Sequence, residues 1–352
     1  MAKVGWILIV IVCLSSCRQK HDWPVYRGDK SSTGYSTLSQ INSKNLDQLA
    51  VAWVFHTGDA RAGNRSTIQC NPLVVNNRMY ITSPQLVLLA LDPATGKELW
   101  RFNPFAGSTA TGVNRGVTYW QDEKGDRRIF FAAGAWLYAI NADNGQLINS
   151  FGKNGRIDLR EGLDRAPEKL SVWATSPGII YKNLLIQGTA LEEGYDAAPG
   201  FVRAYNTYTG AVEWTFKTIP PPGEYGYDTW NKDSYQKAGG TNAWAGLSLD
   251  EENGLVYLPL GSPAFDFYGG NRAGQNLFGN CIVALDAATG KRKWHYQLVH
   301  HDLWDYDLPA PPTLVTLRND SMPLAVAQVT KMGMLFLFDR ISGKPIFPIE
   351  EK

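Results

Sequence analysis

The stretch that decides the fold is ALDPATGKELW at residues 90–100, which returns almost unchanged as ALDAATGKRKW at residues 284–294. Three weaker copies share its plan of a small or apolar residue, a hydrophobe, Asp or Asn, and then Gly six positions after the start. They are AINADNGQLIN at residues 139–149, AYNTYTGAVEW at residues 204–214 and LFDRISGKPIF at residues 337–347. A phrase that occurs five times in one chain indicates a repeat architecture.

Each copy of the phrase reads as a strand, a tight turn and the start of the next strand. Alternating apolar residues lead to the turn, where the Asp or Asn side chain bonds the backbone and the Gly accepts a positive φ. An aromatic residue closes four of the copies at a fixed place on the second strand, suited to packing between neighbouring sheets. These residues are Trp100, Trp214, Trp294 and Phe347. The pattern predicts an all-β fold, a β-propeller of four-stranded antiparallel blades.

The number of residues between successive turn glycines gives the length of each predicted blade. The steps from Gly96 to Gly145 and from Gly290 to Gly343 have the length expected of a four-stranded blade, about 50 residues. The two middle steps, which meet at Gly210, are longer. The excess predicts inserted loops, and in a propeller such loops are where functional residues collect.

Composition agrees with an extracytoplasmic all-β protein. The 352 residues include 34 Gly and 19 Pro, 12% of them are aromatic, and only 19% are charged. The formal net charge of +1 provides no basic surface of the kind that nucleic acid requires, so we expect no nucleic-acid partner. The sequence also contains no P-loop or dinucleotide-binding fingerprint.

The N-terminus predicts export from the cytoplasm. Lys3 precedes an apolar run at residues 4–14, which is too short to span a bilayer, and LSSC occupies residues 14–17. This string resembles a bacterial lipobox, in which Cys17 becomes the lipidated first residue of the mature protein. The alternative is an ordinary signal peptide with a chance Cys.

The lipobox interpretation divides the chain into three parts. Residues 1–17 form the signal peptide, residues 18–22 a tether and residues 23–352 the propeller domain. We expect the protein to face the periplasm and to contact the membrane through the lipid anchor alone. The sequence leaves open whether Cys70 and Cys281 form a disulfide.

Several strings between the copies of the phrase resemble the pyrroloquinoline quinone (PQQ) dependent dehydrogenases. The opening DWPVYRGDKSSTGYSTLSQINSKNLDQLAVAWVFHTGD at residues 22–59 is similar to the start of that family's propeller, and the likeness continues to residue 350. The most specific string is HHDLWDYDLP at residues 300–309, which looks more like the glucose and polyol branch than the methanol branch. Propellers of this family have eight blades. With five phrases present, we expect the sequence to be a fragment of about five blades.

The resemblance implies an enzyme that transfers hydride from a sugar, polyol or alcohol to PQQ. In this family Ca²⁺ acts as a Lewis acid, and the electrons pass on to a quinone or a cytochrome. The alternative is a non-catalytic lipoprotein similar to the outer-membrane assembly scaffolds that carry the same phrase. A scaffold needs only the repeat, whereas four residues stand in matching family contexts and favour the enzyme. They are Arg115, Trp244, Asp305 and Lys331.

Asp305 matches the family's catalytic base, the Asp that directly follows Trp in the HHDLWDYDLP string. Alcohol oxidation needs a base for the hydroxyl proton and an acceptor for the hydride. From the residues alone, Asp302, Asp305 and Asp307 are better explained as turn caps, because Asp is a common turn residue. Lys331 matches the cation beside the reactive quinone oxygens, where positive charge stabilises the reduced ring.

Five further positions match cofactor contacts of the family. Arg115 corresponds to the Arg that pairs with a carboxylate of the quinone, and Trp244 to the Trp on which the planar ring stacks. Thr241 and Thr175 correspond to rim contacts, and Gln69 stands where many relatives carry Glu. A solvated loop Arg and a blade-packing Trp are the alternatives for the first two.

The predicted metal site is built from oxygen donors, which suit the hard cation Ca²⁺. The resemblance implies three ligands, namely Glu193, Ser262 and Asp305. Ser262 stands where relatives carry Asn, and its hydroxyl is a weaker ligand than an amide oxygen. Coordination would then need backbone or water oxygens.

Overall fold

The computed structural model describes residues 22–61, 63, 67–317 and 324–350. The expected signal peptide, its Cys17 and residues 18–21 of the expected tether lie outside these residues. Within the described ranges, every helix is too short to cross a membrane. The helices are three 3-10 turns and the four-residue helix α1, namely Leu46–Gln48, Pro167–Lys169, Tyr227–Thr229 and Ser234–Lys237.

Nearly all regular structure lies in antiparallel sheets, and within each main sheet the strands follow chain order. The first sheet contains β1 (Leu73–Val75), β2 (Arg78–Thr82), β3 (Leu88–Leu91) and β4 (Glu98–Phe102). The second contains β5 (Thr118–Gln121), β6 (Arg127–Ala133), β7 (Trp136–Asn141) and β8 (Arg156–Asp158). The third contains β10 (Ile179–Tyr181), β11 (Leu184–Gln187), β13 (Val202–Asn206) and β14 (Val212–Phe216).

The fourth sheet repeats the four-stranded plan and the fifth shows three strands. The fourth contains β16 (Ser248–Asp250), β17 (Leu255–Pro259), β19 (Cys281–Asp286) and β20 (Arg292–Gln297). The fifth contains β21 (Thr313–Thr316), β22 (Leu324–Val329) and β23 (Leu335–Asp339). Where its fourth strand would pair, the described residues show a single bridge from Phe338 to Pro345. The all-β propeller prediction is confirmed, with three strands instead of four in the last described sheet.

In the first, third and fourth sheets the repeated phrase forms the hairpin between the last two strands, whereas in the second sheet the residues after Gly145 make one bridge, Leu147 to Ile140, and β8 begins only at Arg156. In the first sheet its first residue, Ala90, pairs with its last, Trp100, and a bulge follows directly. The third and fourth sheets repeat this register with Ala204 opposite Trp214 and Ala284 opposite Trp294. The five turn glycines all have φ between 70° and 76°, as the phrase predicts.

The aromatic residue at the end of the phrase connects neighbouring sheets. Trp100 covers Gly145 of the next phrase so closely that a Cβ there would lie 2.6 Å from its ring, and its Nε1 donates to the Ala142 carbonyl at 3.2 Å. In the same way, the Trp214 ring covers Gly290 and the Trp294 ring covers Gly343. The Gly therefore serves both the left-handed turn and the approach of the indole ring.

One aromatic residue outside the five phrases packs in the same way, and one residue within them does not. Trp53, which precedes the first sheet, lies on Gly96 in the same way and donates to the Pro93 carbonyl at 3.2 Å. Phe347 of the fifth phrase is 62% exposed in the described structure. The packing predicted for Phe347 is therefore not observed there.

The hydrophobic core lies between the sheets. Four buried clusters separate the first sheet from the second, the second from the third, and so on to the fifth. The first strands of successive sheets contact one another, β5 with β10, β10 with β16 and β16 with β21. Sheets that pack face to face with their first strands together surround a common axis, which is the arrangement of propeller blades.

The longer steps between phrases contain the predicted insertions. In the first, β9 (Val172–Trp173) pairs with β12 (Ala190–Leu191), and in the second, β15 (Gly239–Gly240) pairs with β18 (Pro263–Ala264). Both pairs lie beside the main sheets. Cys70 and Cys281 are free thiols, which answers the question that the sequence left open.

Candidate active site

The segments that lead into the first strands are bonded to one another around the propeller axis. The Asn71 N–H donates to the Arg115 carbonyl at 2.8 Å, and the Arg115 N–H donates to the Thr175 carbonyl at 2.8 Å. The Thr175 hydroxyl then donates to the Trp244 carbonyl at 3.1 Å. Residues far apart in sequence thus reach one point because each precedes the first strand of its sheet.

A cavity of about 810 Å³ opens at this point, between these segments and the two inserted strand pairs. Six predicted site residues line it: Arg115, Thr175, Glu193, Trp244, Ser262 and Lys331. Asp266 and Asp307 also contribute to its wall. The volume lies within the range of about 300–1,000 Å³ that is usual for small-molecule sites.

Trp244 is the central flat surface of the cavity. The guanidinium carbon of Arg115 lies 5.3 Å from the centre of its ring, and the Lys331 Nζ lies 5.9 Å away. Its indole Nε1 donates to Asp307 Oδ2 at 3.0 Å, which fixes the plane of the ring. Two cations beside one fixed aromatic face are suited to a planar, negatively charged ligand.

Arg115 has unused hydrogen-bonding capacity. Its Nη1 is buried and has no hydrogen-bond partner in the described structure. Burial lowers the pKa of the guanidinium, and the neighbouring Tyr26 opposes this. Since Arg stays charged in proteins, the bare N–H groups favour an acceptor such as a carboxylate.

Lys331 joins two carboxylates at the edge of the cavity. Its Nζ lies 2.6 Å from Asp305 Oδ2 and 3.0 Å from Asp307 Oδ2. Burial raises the pKa of Asp305, although the Lys331 hydrogen bond opposes the rise. For Lys331, the bonds from both carboxylates outweigh burial and raise its pKa. A carboxyl with a raised pKa beside a fixed cation is a stronger general base than an ordinary Asp.

Asp307 is a functional residue that the sequence interpretation treated only as a turn cap. Its Oδ2 accepts from Trp244 and Lys331, and its Oδ1 accepts from the Ser262 N–H at 2.6 Å. The buried carboxylate therefore orients the aromatic face and the cation together. The only sequence signal was its place two residues after Asp305.

On one side of the cavity several carboxyl groups lie close enough to repel one another. Burial, followed by repulsion from Glu193, Asp305 and Asp307, raises the pKa of Asp266 to about 8. Asp266 was not predicted as a site residue, because a single Asp in a loop has no distinguishing spacing. Its raised pKa indicates a place where negative charge exceeds positive charge.

The three predicted calcium ligands do not form a coordination sphere. The Ser262 hydroxyl donates to Asp302 Oδ2 at 2.5 Å and accepts from Asn280 Nδ2 at 3.0 Å, so its proton and one of its two lone pairs are engaged. Asp305 is bonded to Lys331. Among the described residues, no group of three or more His, Cys, Asp or Glu side chains is placed to hold a metal ion. The arrangement does not fit Ca²⁺ at these ligands.

Two predicted cofactor residues do not reach the cavity. Gln69 is exposed, and its Nε2 lies 3.5 Å from the Thr67 hydroxyl. Thr241 is fully buried with φ of 53°, and its hydroxyl lies 2.7 Å from the Gly240 carbonyl and 2.8 Å from the Thr218 hydroxyl. The left-handed backbone at Thr241 turns its side chain away from the wall.

Comparison with known proteins agrees with this fold. Residues 23–352 match the family model described as "PQQ: Glucose/ethanol/alcohol dehydrogenase, beta-propeller domain". The chain is 35% identical to quinoprotein glucose dehydrogenase A of Acinetobacter calcoaceticus, over 94% of this chain and 44% of that protein. It is 34% identical to the glycerol dehydrogenase large subunit of Gluconobacter oxydans, over 94% and 46%.

A solved structure shows the same fold. The quinohemoprotein alcohol dehydrogenase of Comamonas testosteroni superposes with a TM-score of 0.77 at 28% identity, over 93% of this chain and 48% of that one. The chain spans about half the length of these relatives. The glucose and glycerol enzymes among them confirm the resemblance to the glucose and polyol branch. The chain therefore belongs to the PQQ-dependent glucose, ethanol and alcohol dehydrogenase family of β-propellers.

Proposed function

We propose that the cavity binds PQQ and that the protein oxidises a hydroxyl group of a sugar, polyol or alcohol. The observation that carries this proposal is the Trp244 ring, which is bonded to Asp307 and has the cations of Arg115 and Lys331 beside it. A propeller that served only as a scaffold would have no need of two cations beside one aromatic face in a cavity of this size.

The fit of the cofactor rests on the chemistry of the wall. Arg115 would pair with a carboxylate of PQQ through the N–H groups that have no partner in the described structure. Trp244 would contact the planar ring, and Lys331 would lie beside its polar edge. When bound, PQQ supplies an acceptor for hydride.

Asp305 takes the role of general base in this proposal. Its carboxylate would accept the proton of the substrate hydroxyl, and its raised pKa favours that transfer. Lys331 has a second partner in Asp307, so it stays bonded to the protein when Asp305 turns to the substrate. The ammonium thus remains as a fixed positive charge throughout turnover.

The proposal also covers the substrate class, the location of the protein and the electron acceptor. The names of the relatives support a small polyhydroxylated substrate, since they include glucose, glycerol and quinate or shikimate dehydrogenases. We place the protein in the periplasm with a lipid anchor at Cys17, and its electrons pass to a quinone or a cytochrome. Ca²⁺ does not fit the three predicted ligands, and no step of this proposal depends on it.

The test measures PQQ-dependent reduction of an artificial dye with glucose, glycerol and ethanol as substrates. We expect turnover by the wild-type protein with at least one of them, and a loss of about 1,000-fold or more in kcat for Asp305→Asn, because the amide cannot take the proton. Asp305→Asn should still bind PQQ. Unchanged kcat in this variant, or no turnover by the wild type with any substrate, would overturn the proposal.

A further inference from the structure

A fully buried carboxylate stands three residues before the proposed base. Asp302 is 1% exposed and has no place in the mechanism above. Its Oδ1 accepts from the Trp304 N–H at 3.0 Å, and its Oδ2 accepts from the Tyr306 N–H at 2.7 Å. One side chain therefore binds the two backbone amides that flank Asp305.

The backbone at Asp305 needs such support. Its φ is 56°, in the left-handed region that is unfavourable for most residues with a Cβ. If the flanking amides were free, Asp305 could relax to an ordinary φ, and its carboxylate would turn away from Lys331. The bonds to Asp302 hold the backbone on both sides of the base in the strained conformation.

Asp302 is itself held by side chains from the fourth sheet and its insertion. Asn280 Nδ2 donates to Asp302 Oδ2 at 2.9 Å and lies 3.1 Å from the Tyr306 carbonyl. The guanidinium of Arg272, which is fully buried, donates to the Asp302 carbonyl and to Asn276 Oδ1. The support of the base thus continues into the rigid core of the blade.

We propose that Asp302 is a positioning residue for Asp305, acting through the Trp304 and Tyr306 amides. The inference rests on the proposed function, in which Asp305 is the base. An amide at position 302 cannot replace the carboxylate, because its NH₂ would face one of the donors that now bind an oxygen. Asp302→Asn therefore removes at least one of the two flanking bonds without a large change of volume.

Hydrogen–deuterium exchange tests the structural part without substrate or cofactor. In Asp302→Asn, we expect the amides of Trp304 and Tyr306 to exchange about tenfold faster, the change expected for losing one ordinary hydrogen bond. The matched control is Asp286→Asn, which removes a turn-capping carboxylate from the fourth phrase and should leave both amides unchanged. Equal exchange in the wild type and Asp302→Asn would overturn the proposal.

Kinetics then test the link to the base. We expect kcat of Asp302→Asn to fall about 100-fold, as for a misplaced catalytic group, with KM and PQQ affinity within about twofold of the wild type. Faster exchange with unchanged kcat would overturn the positioning role. If the wild type shows no turnover, the proposed function fails, while the exchange result still decides whether Asp302 orders this turn.

Asn280→Ser keeps the proposal testable if Asp302→Asn does not fold. It removes the bonds that Asn280 Nδ2 makes to Asp302, Tyr306 and the Ser262 hydroxyl but leaves the Asp302 carboxylate in place. We expect a smaller rise in exchange at Trp304 and Tyr306, about threefold, and a parallel fall in kcat. No change in either quantity would contradict the proposed network.

Discussion

Asp266 provides a test of the charge balance in the cavity. The side chain is 5% exposed, and burial next to Glu193, Asp305 and Asp307 raises its pKa to about 8. In the unfolded chain the same carboxyl ionises near pH 4. Between these two values the folded protein holds a proton that the unfolded chain has released. The free energy of unfolding must therefore fall as the pH rises through this window.

The size of the effect follows from the width of the window. Each pH unit contributes up to about 1.4 kcal/mol, so the three units from pH 5 to pH 8 give at most about 4 kcal/mol. Relaxation of the cavity and entry of water reduce this, and we expect roughly 2–4 kcal/mol. The Asn side chain in Asp266→Asn carries no charge at any pH. The variant should therefore lose this part of the pH dependence of the free energy of unfolding. Relative to the wild type, it gains stability as the pH rises.

The assay is urea unfolding of the wild type and Asp266→Asn at pH 5, 6, 7 and 8, without divalent ions. The difference in the free energy of unfolding should change by roughly 2–4 kcal/mol in favour of the variant across this range. Asp228→Asn, at an exposed position, is the control and should show the wild-type slope. Parallel curves for the wild type and Asp266→Asn would refute the reasoning.

Two other substitutions test separate parts of the structure by urea unfolding. Asp307→Asn should destabilise the protein by about 2–3 kcal/mol, because the Trp244 N–H or the Lys331 ammonium loses its buried acceptor. An unchanged midpoint of urea unfolding would contradict the role of Asp307 as that acceptor. Gly290→Ala should cost about 2–4 kcal/mol, because φ is 70° and a Cβ would lie 2.6 Å from Trp214. Gly223→Ala, with φ of 87° and open space around it, should cost only about 1–2 kcal/mol, and equal losses at the two glycines would refute the packing argument.

The features that the sequence predicted best are those set by local chemistry. The turn of each phrase needs an Asp or Asn that caps the backbone and a Gly with positive φ, and both requirements are visible in the letters. Asp92, for example, accepts from the Ala94 and Thr95 N–H groups at 2.9 Å each. The indole that covers the next Gly stands four residues after the Gly of its own phrase, as in Trp100, Trp214 and Trp294, so this part of the sheet packing was also predictable.

The features that the sequence missed depend on contacts between distant segments. Asp307 and Asp302 looked alike as turn residues, and their different roles appear only when Trp244 and Asn280 reach them. Thr241 fails as a cofactor contact because of its backbone conformation, which the family motif does not encode. Ser262 lies on the wall, but its hydroxyl is engaged by Asp302.

The central claim is that the cavity at Trp244 and Arg115 binds PQQ. The most direct measurement is a titration of the protein with PQQ, followed by quenching of tryptophan fluorescence, for the wild type and Arg115→Ala. We expect saturable one-to-one binding by the wild type and a dissociation constant at least about tenfold higher for Arg115→Ala, because a buried charge-assisted pair is lost. Equal affinities, or no saturable binding by the wild type, would contradict the account.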